Sequence, residues 1–151
     1  MPYLLFAFAI GCMIPLQAAI NSQLKTHLGG STLLASLVSF AVGTLALAAV
    51  TATTERVQNL AGAADAKSWQ LTGGLLGAVF VFGTTLLAPR IGVAKMTALI
   101  IAGQVIVSML LDHQGWLGLA VREITPTRIA GGVLVVAGVL MVNFDPLLPK
   151  S

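Results

Sequence analysis

Long runs without charge, separated by short polar breaks, set the pattern of this chain. Residues 1–24 carry no charged side chain, nor do 26–54 with His27 neutral, nor 68–89. A helix rises 1.5 Å per residue and the hydrocarbon core of a bilayer is about 30 Å thick, so about 20 apolar residues cross it. Each run therefore predicts a membrane-spanning helix. Two further runs, 96–111 and 129–144, are shorter. The first reaches spanning length by extending back to Ile91 past Lys95, whose stem can snorkel to the interface. The second does so by taking in Arg128 and Asp145 at its ends. The pattern predicts five helices at about 3–23, 32–52, 69–89, 92–111 and 127–145, forming one transmembrane domain over 1–151. The fold class is an all-α integral membrane protein. Pro89 with Gly92 is expected to separate the third helix from the fourth, and Pro126 suits the first turn of the fifth.

Composition narrows the function. The chain is 57% apolar and 9% charged, with mean hydropathy +0.96, where soluble domains carry about 25% charge. Eight Lys and Arg with five Asp and Glu cannot cover a water-facing surface of this size. That excludes a soluble enzyme. The pI of 9.5 reflects scarce, scattered charge, so no nucleic-acid partner is expected. The single cysteine, Cys12, permits no intramolecular disulfide. The first residues lack a cationic segment, so the opening run reads as a span and not as a signal peptide.

Orientation normally follows the Lys and Arg excess. With five spans, Arg56, Lys67, Arg122 and Arg128 fall on one membrane face, and Lys25, Arg90, Lys95 and Lys150 on the other. This balance fits two readings. Either copies insert both ways and pair as an antiparallel dimer, or one orientation is fixed by a residue or two. The antiparallel pair would reproduce the inverted-repeat geometry of alternating-access transporters.

Polar groups inside spans are costly and are candidates for function. Gln17 and Asn21 are four apart and share a helix face. Pro15, just before them, is expected to kink or open the helix. On the fourth helix Gln104, Ser108 and Asp112 run at i, i+4 and i+8, with Thr97 seven residues before Gln104. Gln17, Asn21, Gln104 and Ser108 are the candidate substrate-binding groups. Interhelical hydrogen bonding is the alternative use of the same side chains. Pro15, Arg90, Lys95 and Asp112 are candidates for a helix break or for gating, and Arg122 and Arg128 could pair with Asp112. The hydroxyls of Ser36, Ser39, Thr44, Thr84 and Thr85 are expected to bond their own backbone and be structural. Glycines such as Gly73, Gly77, Gly131 and Gly132 suit close helix packing. No catalytic constellation, metal site or cofactor motif is present in the sequence. No span holds an acidic residue in its middle, so proton-coupled cation export has no carrier. Neutral amides along a path suggest a neutral or zwitterionic substrate.

The segments PLQAAIN, SLVSFAVGTLAL, GGLLGA, LLAPRIGVAKMTALIIAGQ and LLDHQGWLG resemble the small YdcZ-like members of the drug/metabolite transporter superfamily, over about residues 1–144. Pro15, Gln17 and Asn21 match the first motif. Pro89, Arg90, Gly92, Gln104, Asp112 and His113 match the second region. The resemblance implies a transporter-like fold in the bacterial inner (cytoplasmic) membrane, working as a homodimer or with a sister chain. Its small multidrug resistance cousins use an acidic residue in the first helix, which this chain lacks. The expected function is a dimeric secondary transporter of a small metabolite or hydrophobic organic compound. The alternative is a membrane scaffold or accessory subunit that needs a partner chain.

Overall fold

A computed structural model describes residues 2–55 and 57–144. Arg56 and Lys150 of the charge count, and the expected end of the fifth helix at Asp145, lie outside the described residues. The described chain forms five helices: α1 (Pro2–His27), α2 (Thr32–Thr54), α3 (Thr72–Ile91), α4 (Val93–Gln114) and α5 (Pro126–Asn143). Short 3-10 segments occupy Val57–Asp65, Ser68–Leu71 and Trp116–Gly118. All five helices are long and apolar enough to cross a membrane, the third counted with its 3-10 lead-in from Ser68. The chain divides into two compact units, Met1–Arg90 and Ile91–Ser151.

The helix ends differ from the sequence expectation for local reasons. Helix α1 runs on to His27 because the Lys25 carbonyl accepts from the backbone N–H groups of Leu28 and Gly30, which closes its end in a Gly29-Gly30 turn. Ser31 then caps α2, its hydroxyl accepting from the Leu34 N–H at 3.2 Å. Helix α3 begins at Thr72 because residues 68–71 wind more tightly. It does not end at Pro89: the helix passes through that residue to Ile91, and the break falls at Gly92, with φ 83° and ψ 146°. Proline in the last turn loses one hydrogen bond, whereas this backbone shape is open only to glycine. Pro15 likewise lies within a continuous α1, so the expected opening amounts to one missing N–H opposite the Gly11 carbonyl.

In the first unit, α1 packs against α2 at the end near their short turn. Ala18 and Asn21 of α1 are buried, as are Thr32, Ala35 and Ser36 of α2. Helix α3 buries Val81, Thr84, Thr85 and Ala88, a stripe at three- and four-residue spacing. In the second unit, α4 and α5 form the main packed pair. Most large apolar side chains face outward, from Tyr3 at 85% exposure to Met141 at 77%. That is the surface a lipid-embedded helix presents.

Candidate functional site

Among its described residues the first unit buries polar side chains together with small apolar ones and turns its large apolar side chains outward. Among the described residues its buried side chains are Asn21, Thr32, Ser36, Thr84 and Thr85, against the apolar Ala18, Ala35, Val81 and Ala88. Its exposed positions include Leu4, Phe8, Leu45, Leu47 and Leu75. Water-soluble cores show the reverse. In a membrane, polar side chains turned inward mark either interhelical bonding or a solute path.

Hydrogen-bond accounting separates these polar groups. The Ser36 hydroxyl donates to the Thr32 carbonyl at 2.9 Å, and the Thr84 hydroxyl to the Val81 carbonyl at 3.1 Å. Both are bound to their own helix, as the sequence suggested. Thr85 departs from that expectation: it is 0% exposed and its Oγ1 has no partner. Asn21, 3% exposed, leaves its amide Nδ2 unpartnered. An unmade bond in a buried place costs about 1–3 kcal/mol. The two groups therefore hold unspent bonding capacity. Sequence periodicity could find Asn21, but it gave no reason to separate Thr85 from Thr84.

Gln17 shares the helical spacing of Asn21 yet is exposed. The seam against α2 is narrow and follows Ala18 and Asn21, which leaves Gln17 at its edge. Gln104 and Ser108, in the second unit, are exposed too. Ser108 donates to the Val105 carbonyl at 2.9 Å. The inner stripe of α4 is Ala102, Val105, Met109 and Asp112, one step round from Gln104 and Ser108. Thr97 is half-buried with its Oγ1 unpartnered. Of the four candidate binding groups, Asn21 is the one buried within its unit.

Among the candidate gating residues, Asp112 forms an ion pair. Its Oδ2 accepts from Arg128 Nη2 at 2.9 Å, with the side chains 32% and 35% exposed respectively. The Asp112 backbone carbonyl also accepts from the Arg122 N–H at 2.8 Å. Thr125 caps α5 by accepting from the Arg128 N–H at 3.3 Å, and Pro126 follows in the first turn. These contacts tie the end of α4 to the start of α5. Arg90 is exposed, and its guanidinium reaches the Leu86 carbonyl at 3.5 Å. Lys95 is exposed as well.

An open apolar groove of about 450 Å³ runs along α4 and α5, lined by residues including Val105, Met109, Ile124, Ile129, Gly132 and Val136. No polar group in the sequence marks it. Periodicity cannot tell a groove from a packed seam.

Residues 2–141 match the family described as "Putative inner membrane exporter, YdcZ". No curated protein and no solved structure matches the chain.

Proposed function

The chain belongs to the YdcZ family, a multi-pass family of the inner membrane, and from that premise we propose that it is a secondary transporter exporting a small metabolite or hydrophobic organic compound. The observation that carries this reading is the polar interior of the first unit, centred on Asn21 and its unpartnered amide. In this reading two chains pair antiparallel, or with a sister chain, and work by alternating access. Gln17, Gln104 and Ser108, exposed in the single chain, complete the polar wall across the pair. Pro15 supplies a soft point in α1, and Arg90, Lys95 and the Asp112–Arg128 pair act as end gates. The near balance of Lys and Arg between membrane faces supports the antiparallel arrangement.

The test compares the compounds released by cells making the wild-type chain with those released by cells making Asn21→Leu or Gln104→Ala, by mass spectrometry of the medium. The expected result is at least one compound released by the wild type and lost in both variants at equal membrane abundance. Identical release profiles for wild-type and empty cells would favour the accessory-subunit reading. A fully active Gln104→Ala chain would remove Gln104 from the wall.

A further inference from the structure

We infer that the groove between α4 and α5 seats one acyl chain of a zwitterionic phospholipid, with the lipid's phosphate on Arg128 and its ammonium group on Asp112. The inference goes beyond the transport reading and does not depend on it. Every residue it uses lies in the second unit. Helices α4 and α5 pack against each other, and the groove of about 450 Å³ follows their seam. Its walls include Val105 and Met109 on α4 and Gly132 and Val136 on α5. Gly132 has no side chain to fill the space, and a Cβ there would meet Met109 Sδ at 3.3 Å. No side chain along the groove is polar. Leu110 and Val133, which also line it, are 50% and 61% exposed, so the groove opens outward. In a multi-pass protein of the inner membrane, the outer surface of such helices faces hydrocarbon. An unfilled groove there would forfeit dispersion contacts on both walls, and an acyl chain is what the bilayer has to fill it.

Polar groups close one end. Asp112 continues the Val105–Met109 row of α4 three residues on, and Arg128 begins the row of α5 that runs through Gly132 and Val136 at four-residue spacing. Arg128 Nη2 donates to Asp112 Oδ2 at 2.9 Å from one wall to the other. Asp112 lies two residues before the end of α4 at Gln114, and Arg128 two after the start of α5 at Pro126. The pair therefore sits about 3 Å inside both helix ends, at the edge of the hydrocarbon where headgroups begin. The ion pair does not exhaust either partner. A guanidinium has five N–H donors, and Arg128 Nη1 is buried without a partner. Of the two Asp112 carboxylate oxygens, Oδ2 takes the bond from Arg128, which leaves Oδ1. Both side chains are about a third exposed, so a headgroup can reach them. Charge then selects the headgroup. Arg122 and Glu123, both exposed, add one charge of each sign to the pair, and with His113 neutral this end carries no net charge. A purely anionic headgroup would meet Asp112 with no excess of cations to offset it. A phosphate and an ammonium on one headgroup match a guanidinium and a carboxylate side by side. The apolar helix of a second copy would fill the walls and leave these charges unanswered.

The test is native mass spectrometry of the purified full-length chain, stripped of lipid in neutral detergent. It is then offered phosphatidylethanolamine, phosphatidylglycerol or phosphatidylcholine with the same acyl chains. One phosphatidylethanolamine per chain is expected, held about five-fold better than phosphatidylglycerol, which lacks the ammonium. It should also outlast phosphatidylcholine, whose methylated nitrogen donates no hydrogen bond. Arg128→Gln should weaken its retention about five-fold. Asp112→Asn should turn the preference toward phosphatidylglycerol, a change that loosened packing alone would not produce. Val136→Phe, which fills the groove from its wall, should weaken all three lipids about three-fold and leave their order unchanged. Equal retention of the three lipids, retention of none, or an Asp112→Asn chain that still prefers phosphatidylethanolamine would overturn the inference. So would lipid on single chains and none on dimers, since a second copy would then be the occupant.

Discussion

Gly92 and Gly115 are fixed by backbone geometry, each for its own reason. At Gly92 the combination of φ 83° and ψ 146° lies where side chains are essentially not found. At Gly115 φ is 61°, and an added Cβ would come within 2.6 Å of Val121 Cγ2. Alanine at either position should cost about 1–3 kcal/mol, with Gly115→Ala the worse because strain and clash combine. Thermal unfolding in detergent checks this; an unchanged midpoint for Gly115→Ala would contradict the contact. The Asp112–Arg128 pair is about a third exposed on both sides, so it is worth at most about 1 kcal/mol. A double-mutant cycle with Asp112→Asn and Arg128→Gln should give a coupling below that value, and a larger coupling would mean the pair is shielded in the working assembly.

Helix packing gives a contrast between two glycines. A Cβ on Gly77 would meet the Phe40 ring at 3.5 Å, an ordinary contact, whereas one on Gly132 would meet Met109 Sδ at 3.3 Å. Gly77→Ala should therefore change stability by less than about 0.5 kcal/mol. Gly132→Leu should lose about 1–3 kcal/mol by forcing α5 away from α4. A neutral Gly132→Leu would show that the α4–α5 seam is loose. The elements themselves were largely legible in the sequence, because a charge-free run of membrane length admits few other structures. Their ends were less so. Of the pair expected to part α3 from α4, Gly92 makes the break and Pro89 does not, since a proline near a helix end costs little and a positive φ stops the helix outright. The site was half legible. Asn21 stood out as an amide in an apolar span, but helical spacing could not say that Gln17 would lie outside the seam. Nor could it say that Thr84 would bond its own helix while Thr85 would not.

For the whole molecule, five helices have the length and apolarity to cross a membrane, and the Lys and Arg count does not choose between its sides. Reporter domains fused to the C-terminus, one active only in the cytoplasm and one only outside, should both be active if the chain inserts both ways. Activity of a single reporter would require a sister chain of opposite bias for any inverted pair. The one-residue joint at Gly92 bears on how the protein is made. Only that residue separates α3 from α4 along the chain, and Arg90 and Lys95 flank it. There is no slack for α3 to settle in the bilayer while α4 is still being synthesised. Two helices joined this tightly have little chain with which to leave the insertion machinery apart, so Arg90 and Lys95 travel as one pair of charges.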